Sequence, residues 1–342
     1  MEYTNILIIK MSSLGDVLHT LPFVAVLRER FPEARLTWLV HPQFGAFVPD
    51  PPMVDEVIYF DKVKFNKMSL SGKWAYFKEM RRLLHSKKFD LVIDMQGLFK
   101  SAVLAAISGC DNRIGYCEMR EGSGFVSRAV TGSHAKDHVI ERYLDVARYL
   151  GCKVDEIRFP MPDLEKEWLA VKEKTEAVLR PYVVLVPGAR WETKKWPAEN
   201  FAKLADMFQK EGTKVVLAGG PDETALGAEI RKLSPGVTDL TGKTSLRELG
   251  ALIQHCDGYI SGDTGPLFIA AAMKRPLVAL YGPTRPDRTG PYGSKEATVM
   301  IAPVSCAGCL KKHCDDWVCM KAITPEAVFD EYKKKVKRKA WS

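Results

Sequence analysis

The stretch that decides the fold is "NILIIKMSSLGDVLHTLP", residues 5–22. Residues 5–9 form a short, mainly aliphatic run, which is typical of a strand buried on both faces. From Val17 onward, apolar residues recur at helical spacing, so the polar residues between the two form a strand-to-helix turn. Asp is a common residue at helix N-termini, which gives Asp16 an ordinary structural explanation. Ligands of parallel α/β sheets also bind at such turns, and Asp16 is therefore a candidate functional carboxylate.

The same alternation of strand and helix patterns continues along the chain. The other candidate strands are "RLTWLV", "EVIYF" and "DLVIDM" in the first half, and "YVVLVPG", "KVVLAGG", "GYISGD" and "LVALYGP" in the second half. Alternation of this kind predicts parallel sheets covered by helices. A Pro-rich stretch, "RFPMPD" at 158–163, separates the halves. We expect an α/β protein with two Rossmann-like domains, residues 1–165 and 166–342, whose strand ends face a common cleft.

The bulk properties indicate an ordinary globular protein. The 342 residues carry a net charge of +8, and 46% of them are hydrophobic. No apolar run reaches the roughly 18 residues of a membrane span, and no signal-peptide pattern begins the chain. We therefore expect a cytoplasmic protein. Nucleic acid is disfavoured as a partner because no helix-turn-helix, RNA-binding strand motif or complete finger spacing is present.

Two segments are rich in basic residues. The C-terminal segment "EYKKKVKRKAWS", residues 331–342, holds six Lys or Arg. The segment "KWAYFKEMRRLLHSKKF", residues 73–89, mixes basic and aromatic residues at helical spacing. Each is explained either by a solvated helix that packs its apolar side on the sheet or by attraction to an anionic membrane surface.

Four of the eight cysteines lie together in "CAGCLKKHCDDWVC", residues 306–319. A C-x2-C pair followed by two further thiols resembles the ligand density of a zinc site, although the later spacings are looser than in a zinc ribbon. A structural zinc ion, a disulfide and reduced, packed thiols all remain possible. The four residues are Cys306, Cys309, Cys314 and Cys319.

Two common nucleotide-binding classes are disfavoured. A nicotinamide enzyme would carry G-x-G-x-x-G after its first strand, where this chain has K-M-S-S-L-G-D, residues 10–16. The P-loop pattern G-x-x-x-x-G-K-[ST] is also missing from the sequence. The chain therefore predicts neither hydride transfer nor P-loop phosphoryl transfer.

Glycine-rich polar turns follow three strands of the second half. Glycines let backbone N–H groups approach a ligand, and helix N-termini favour anions, so these turns suit a nucleotide diphosphate. Lys194 can add a positive charge, while the carboxylates of Glu223 and Asp263 suit the hydroxyl groups of a ribose or sugar. The turns begin at Gly188, Gly219 and Gly262.

Seven blocks carry a resemblance to a known family. They are "IIKMSSLGDVLHTLP", "DMQGLFKSA", "PGARWETKKWP", "GGPDE", "LTGKTSLRELGALI", "GDTGP" and "YGPT", in this order over nearly the whole chain. Together they resemble the ADP-heptose:lipopolysaccharide heptosyltransferases, which are glycosyltransferase family 9 enzymes of GT-B fold. The first block is most similar to heptosyltransferase I. The resemblance implies an inverting, metal-independent transfer of L-glycero-D-manno-heptose from ADP-heptose to the Kdo of Kdo-lipid A, with no cofactor required.

The resemblance also implies roles for individual residues. Asp16 matches the general base that deprotonates the acceptor hydroxyl. The positions that match donor contacts are Gly188, Lys194, Gly219, Glu223, Asp263, Thr264 and Gly265. The positions that match acceptor contacts are Lys10, Ser13, Lys100, Arg120 and Arg142. Since that acceptor is borne by the inner membrane, peripheral attachment to an anionic membrane surface is a further expectation.

The chain departs from the family at one position. The family usually reads D-T-G-x-x-H, and here Phe268 replaces the histidine near the donor diphosphate. Phe268 is either a core residue or a sign of altered donor choice, in which case Arg285 and Arg288 could supply charge. Heptosyltransferase II, another family 9 transferase with a different nucleotide sugar, and a non-enzymatic nucleotide-binding module remain alternatives.

Overall fold

A computed structural model describes residues 2–179 and 181–339. The chain divides into two compact units, the first ending at Pro162 and the second beginning at Asp163. Residues 340–342, the end of the basic C-terminal segment, lie outside the described residues. Within the described ranges, no helix has the length and apolar character needed to cross a bilayer.

Unit 1 contains one parallel sheet of six strands. The strands are β1 (Asn5–Ile9), β2 (Arg35–Val40), β3 (Glu56–Tyr59), β4 (Leu91–Asp94), β5 (Arg113–Gly115) and β6 (Arg128–Ala129). The helices are α1 (Leu14–Arg30), α2 (Lys62–Lys67), α3 (Leu70–Ser86), α4 (Phe99–Ile107) and α5 (Val139–Tyr149). The strand order is β3-β2-β1-β4-β5-β6, so the order reverses beside β1. Such a reversal point is where open α/β sheets bind ligands.

The central strands of unit 1 are buried because helices cover both faces of the sheet. Ile6 and Ile8 of β1 pair in register with Leu36 and Trp38 of β2, and all four residues are buried. A near-continuous apolar run is what a two-sided parallel strand requires. The predicted strand at residues 5–9 is therefore confirmed.

Helix α1 begins at Leu14, earlier than the apolar spacing from Val17 indicates. Asp16 consequently belongs to the first helical turn rather than to a loop before it. The helix packs against α5, where the rings of His19 and His138 meet edge to face with centroids 5.5 Å apart. Both histidines are buried.

Unit 2 repeats the topology of unit 1. Its strands are β7 (Tyr182–Val186), β8 (Lys214–Leu217), β9 (Thr238–Asp239), β10 (Gly258–Gly262), β11 (Leu277–Tyr281) and β12 (Ala297–Ile301). Its helices are α6 (Glu165–Lys174), α7 (Ala198–Lys210), α8 (Thr224–Leu233), α9 (Leu246–His255), α10 (Gly265–Ala272), α11 (Pro286–Thr289) and α12 (Pro325–Lys339). The order β12-β11-β10-β7-β8-β9 reverses between β7 and β10.

The core of unit 2 lies between its sheet and helices α7 and α12. Phe208 of α7 packs edge to face on Phe329 and Tyr332 of α12. The indole N–H of the buried Trp196 donates to the carbonyl of Ile323 at 2.9 Å. These contacts attach the C-terminal helix to the sheet.

The predicted α/β class with two Rossmann-like parallel sheets is confirmed. Four strands have no counterpart among the predicted ones, namely β5, β6, β9 and β12. The first three have only two or three residues, and residues of β12 alternate between exposed and half-buried. Such strands carry too few apolar residues to stand out in a sequence.

The buried His19 predicts a specific loss of stability in acid. Burial lowers the pKa of His19 from 6.5 to about 3; the nearby charges of His138 and Lys10 act in the same direction, against that of Asp16. Between these two pH values the unfolded chain binds a proton that the folded chain excludes, so folding weakens as the pH falls. From pH 7 to pH 5 this single group should cost about 2 kcal/mol of unfolding free energy.

Chemical denaturation of the wild type and of His19→Gln at pH 7 and pH 5 measures this cost. The wild type should lose more unfolding free energy than the variant between the two pH values. Equal losses in the two proteins would contradict a neutral, buried His19.

Candidate functional site

The first group of candidate residues lies at the reversal point of the unit 1 sheet. Lys10 directly follows β1, and Asp94 is the last residue of the neighbouring strand β4. The Lys10 side chain is only 3% exposed. Its ammonium donates to the carbonyl of Met95 at 2.8 Å and to the hydroxyl of Tyr143 at 2.7 Å. The structure thus holds a cation in the interior, at the strand ends where a ligand is expected.

The electrostatic surroundings of Lys10 are mixed. Burial lowers the pKa of Lys10, while the charges of Asp16 and Asp94 act to raise it. The cationic groups of Arg120 and Lys100 lie near enough to lower this pKa further. The structure therefore brings four predicted residues, Asp16 among them, into one electrostatic neighbourhood.

Asp16 presents one oxygen to its own helix and the other to Lys10. Oδ2 accepts two hydrogen bonds of 2.8 Å, from the backbone N–H and from the hydroxyl of Ser13. Oδ1 lies 3.9 Å from the Lys10 ammonium, and within the described chain it accepts no hydrogen bond. The side chain is 38% exposed, so Oδ1 is open to a ligand hydroxyl.

The Asp16 carboxyl is ionised at neutral pH. Burial by itself would raise its pKa, but the Lys10 charge and the hydrogen bonds from Ser13 outweigh that effect and lower the pKa. The first helical turn also favours a negative charge. Asp16 therefore caps α1, as the sequence predicts, and at the same time keeps a charged oxygen available as a proton acceptor.

Two residues that sequence reasoning did not single out fix the turn that carries Lys10. The amide oxygen of Gln96 accepts from the backbone N–H groups of Met11 and Ser12 at 3.0 Å each. The buried Asp94 accepts from the N–H groups of Gln96 and Gly97 at 2.9 Å. The sequence feature that could have indicated Asp94 and Gln96 is D-M-Q-G, residues 94–97, at the end of a buried strand.

The side chains predicted to contact the acceptor differ in their burial and in whether they already bind other groups of the protein. Lys100 is half-buried in the first turn of α4, and burial lowers its pKa, as does the charge of Lys62. Arg120 is exposed. Arg142 is buried, and its guanidinium donates to Glu118 and to the carbonyl of Asp137. In this structure Arg142 therefore binds other parts of unit 1.

The second group of candidate residues lies at the reversal point of the unit 2 sheet. Lys194 stands in the loop after β7, and Asp263 directly follows β10. The two side chains form an ion pair with a distance of 2.6 Å between Nζ and Oδ2, and both are largely buried. The Lys194 ammonium also lies 4.5 Å from the centre of the Trp191 ring. Since an ammonium has three donors, the pairing with Asp263 leaves capacity for an anionic ligand.

The start of α10 adds backbone donors beside Asp263. Thr264 is the N-cap residue, and Gly265 is the first helical residue; both are partly exposed. Helix N-termini bind phosphate groups through free N–H groups. Further along α10, Phe268 is buried. Arg285 is exposed and pairs with Asp287 at 3.2 Å.

Glu223 interlocks with two glycines of the predicted donor site. Its Oε2 accepts from the N–H of Gly220 at 2.7 Å. An added Cβ would lie 1.7 Å from Oε1 at Gly188 and 2.1 Å from Oε2 at Gly219, so a larger residue at either position requires the Glu223 carboxyl to move. Burial raises the pKa of Glu223, although the Gly220 hydrogen bond and the Lys195 charge oppose the rise. Gly188 and Gly219 therefore face the Glu223 carboxyl group in this structure.

The cysteine-rich segment, residues 306–319, shows no group of metal ligands and no disulfide in this structure. All four cysteines are free thiols, with Cys306 and Cys309 exposed and Cys319 buried. In the described part of the chain, His, Cys, Asp and Glu side chains nowhere gather in a group of three that could hold a metal. The structure therefore shows neither a zinc-ligand group nor a disulfide among the described cysteines, and the structural zinc ion stays a prediction from the spacing alone.

The cysteine-rich segment instead supports the loop that carries Lys194. The hydroxyl of Thr193 donates to the carbonyl of Lys311 at 2.9 Å, and the indole N–H of Trp317 donates to the carbonyl of Thr193 at 3.0 Å. The ring of Trp191 contacts the ammonium of Lys194 and that of Lys312, which is 5.3 Å from its centre. These contacts restrict where Lys194 can lie.

Comparison with known proteins decides the family. The sequence matches glycosyltransferase family 9 (heptosyltransferase) over residues 77–317. The chain belongs to this family. It is 31% identical to lipopolysaccharide heptosyltransferase 1 of Pseudomonas aeruginosa, covering 91% of this chain and 87% of the relative. It is 30% identical to lipopolysaccharide heptosyltransferase 2 of Salmonella typhimurium, covering 87% of this chain and 88% of the relative.

A solved structure agrees with this membership. The structure of E. coli heptosyltransferase WaaC with ADP-2-deoxy-2-fluoro heptose is 25% identical to this chain and superposes with a TM-score of 0.76, and that of WaaC with ADP is 26% identical with a TM-score of 0.78. The alignment with the fluorinated-sugar complex covers 97% of this chain and 99% of WaaC. The GT-B assignment of this family 9 glycosyltransferase is thereby confirmed, and so is its class as a transferase.

The interlock of Glu223 predicts that the two neighbouring glycines Gly188 and Gly220 respond differently to alanine. Gly188→Ala must displace the Glu223 carboxyl and should lower the free energy of unfolding by about 1–3 kcal/mol. Gly220→Ala has no atom within 4 Å of the new Cβ and an ordinary φ of −74°, so its stability should stay near that of the wild type. Denaturant unfolding of both variants measures the difference. Equal stabilities would contradict the interlock.

Proposed function

We propose that this glycosyltransferase transfers L-glycero-D-manno-heptose from ADP-heptose to the Kdo of Kdo-lipid A, the reaction of heptosyltransferase I. The observation that carries the proposal is the Asp16 carboxylate, which is ionised, partly exposed and fixed at the end of β1 by Ser13. A general base must keep an oxygen free of internal hydrogen bonds, and Asp16 Oδ1 meets this requirement. The first sequence block, which is most similar to heptosyltransferase I, favours that acceptor.

The acceptor chemistry fits the charges around Asp16. Kdo carries a carboxylate and lipid A carries phosphates, and these anions call for basic groups. In this proposal Lys10, Lys100 and Arg120 bind them, because their charges lie near one another in unit 1. Ser13 orients Asp16, and Arg142 holds Glu118 beneath the same surface.

The donor chemistry fits the second group. Lys194 and the N–H groups at Thr264 and Gly265 bind the diphosphate of ADP, and Glu223 and Asp263 accept from hydroxyl groups of the nucleotide sugar. The solved WaaC complex contains an ADP-linked heptose analogue, which supports the same ligand class here. In the proposal Gly188 and Gly219 act by making room for the Glu223 carboxyl.

The proposed step is a single displacement with inversion. Asp16 Oδ1 takes the proton of the acceptor hydroxyl as that oxygen forms its bond to the anomeric carbon. The bond from the anomeric carbon to the diphosphate oxygen breaks, and ADP leaves with the electron pair. Lys194 and the helical N–H groups then stabilise the negative charge that develops on the diphosphate. The residues supply every group that this step needs, so the proposal includes no metal or cofactor.

The acceptor step is the finer part of the proposal. Heptosyltransferase 1 and 2 relatives are about equally similar to the chain, at 31% and 30% identity. Incubation with ADP-heptose and Kdo-lipid A, and separately with heptosylated Kdo-lipid A, followed by assay of released ADP, separates the two. Release with the first acceptor alone supports heptosyltransferase I. Release with the second alone indicates heptosyltransferase II, and ADP binding without release indicates a non-enzymatic module.

Replacement of Asp16 tests the base. Asp16→Asn keeps the shape of the side chain but removes its basicity, so kcat should fall by about 10²–10⁴-fold, while the Kd for ADP should remain that of the wild type. Turnover by ADP release and ADP titration measure the two quantities.

Asp61→Asn is the matched control. Asp61 also caps a helix, accepting from the N–H of Lys64 at 2.9 Å, but it has no contact with Lys10. Near-wild-type turnover of Asp16→Asn, or an equal loss in Asp61→Asn, would remove Asp16 from the role of base.

Replacement of Lys194 tests the donor site. Lys194→Gln removes a cation and leaves the Asp263 carboxylate unpaired, so the Kd for ADP should rise by at least about tenfold. Lys203→Gln is the control, since it removes an exposed lysine of α7 that takes no part in the proposed donor site. Calorimetric titration with ADP compares the two variants, and an unchanged Kd in Lys194→Gln would exclude the phosphate contact.

A further inference from the structure

Helices α2 and α3 of unit 1 form a surface with an unusual concentration of positive charge. Residues 61–88 contain nine Lys or Arg against two acidic residues, a net charge of +7 in a chain whose total is +8. In the described chain, eight of these nine basic side chains have neither a salt bridge nor a hydrogen bond to a carboxylate. Only Lys87 pairs with an acid, Glu56. We call residues 61–88 the α2–α3 surface.

In the other basic segment, the three lysines whose side chains the structure describes have partners within the protein. In α12, Lys333 pairs with Glu211, Lys334 pairs with Glu331 at 2.6 Å, and Lys335 donates to the carbonyl of Lys295 at 2.8 Å. Lys333, Lys334 and Lys335 are thus satisfied by the protein itself. The basic side chains of the α2–α3 surface differ from these three, because nearly all of them have no acidic partner in the described chain.

Helix α3 carries two apolar stripes, of which only one packs on the sheet. Tyr76, Met80 and Leu84 pack on the core of unit 1. The second stripe, Leu70 and Trp74 followed by Phe77, has the helical spacing of four and three residues. Leu70 is 86% exposed and Trp74 is 59% exposed. Leu70 and Trp74 therefore remain largely in water in the isolated protein, while Phe77 is half-buried.

The aromatic groups of the exposed stripe are arranged among the cations. The rings of Trp74 and Phe77 stack with centroids 6.0 Å apart, and the Lys78 ammonium lies 5.3 Å from the centre of the Trp74 ring. Arg81 continues the stripe by one further turn and is exposed. An exposed Leu and Trp bordered by Lys and Arg is the pattern of a helix that lies in the interface of an anionic bilayer.

We infer that the α2–α3 surface docks unit 1 on an anionic lipid bilayer, with Leu70 and Trp74 entering the headgroup region. Charge complementarity selects this partner, since a surface of +7 with apolar side chains at its centre matches negative headgroups above a hydrocarbon layer. Lys62 of this surface acts on the charge of Lys100, a proposed acceptor contact, so the surface borders that site. The inference rests on the proposed function only for the expectation that the acceptor is lipid-borne.

Vesicle binding without any acceptor tests the inference. The full chain is sedimented with vesicles of phosphatidylcholine and with vesicles of phosphatidylcholine and phosphatidylglycerol. The wild type should bind only the second kind and should be released by high salt, since salt screens exposed charges. Equal binding to both kinds, binding that salt does not weaken, or no binding to either would overturn the proposal.

Two variants separate the charged and apolar contributions. Lys78→Gln/Arg81→Gln/Arg82→Gln should weaken binding to anionic vesicles by about a hundredfold, at about fivefold for each charge. Leu70→Ser/Trp74→Ser should weaken it by at least about tenfold and should abolish the tryptophan quenching that brominated acyl chains cause in the wild type. All five residues are exposed, so circular dichroism should show folded proteins.

Matched controls lie elsewhere on the chain. Lys203→Gln/Arg231→Gln/Lys232→Gln removes the same number of exposed charges from unit 2, and Phe125→Ser removes a side chain that is 98% exposed. Both controls should bind vesicles as the wild type does. If they lose binding as strongly as the α2–α3 variants, the effect is one of net charge or general hydrophobicity, and the proposal fails.

An assay with a delipidated, water-soluble acceptor keeps this inference apart from the proposed function. The α2–α3 variants should release ADP at the wild-type rate with that acceptor, because none of the changed residues belongs to the proposed site. Vesicle binding by a wild type that transfers no sugar would refute the function and leave the docking surface. Sugar transfer without vesicle binding would refute the docking surface alone.

Discussion

The burial of one ammonium group, that of Lys10, is the constraint on which the candidate site of unit 1 depends. A charged group in the interior must be paired and hydrogen-bonded. The carbonyl of Met95 and the hydroxyl of Tyr143 satisfy the ammonium directly, and the charges of Asp16 and Asp94 offset its own. Because these partners come from α1, from the end of β4 and from α5, the position of Lys10 fixes the turn after β1 relative to β4 and α5. The ionised state of Asp16 follows from the same cation.

Unit 2 also holds a lysine near an aspartate at the reversal point of its strand order. In each sheet, a lysine from the turn after the first strand faces an aspartate at the end of the fourth strand, Lys10 with Asp94 and Lys194 with Asp263. The strand order reverses between those two strands, so their carboxyl ends leave a crevice that no crossover helix covers. The difference lies in the distance. Lys194 pairs directly with Asp263. Lys10 instead donates hydrogen bonds to uncharged groups and interacts with the Asp16 and Asp94 carboxylates over longer distances.

The sequence predicted those features that depend on local pattern. Buried aliphatic runs revealed eight of the strands, and their ends pointed to Lys10, Asp16, Lys194 and Asp263. The short strands β5, β6 and β9 were not predicted because two or three residues carry no periodicity. The roles of Gln96 and Trp317 depend on contacts with residues far away in the chain, which no spacing rule reveals. For the same reason the cysteine spacing resembled a metal site, although no metal-binding group of three ligands forms among the described residues.

The interlock between Glu223 and two glycines has an evolutionary consequence. The carboxyl group occupies the volume that a methyl group at Gly188 or Gly219 would need. A larger residue at either position therefore requires the carboxyl to move away or the acid to be shortened. We expect substitutions at Gly188, Gly219 and Glu223 to occur together among homologues, even though these positions follow two different strands.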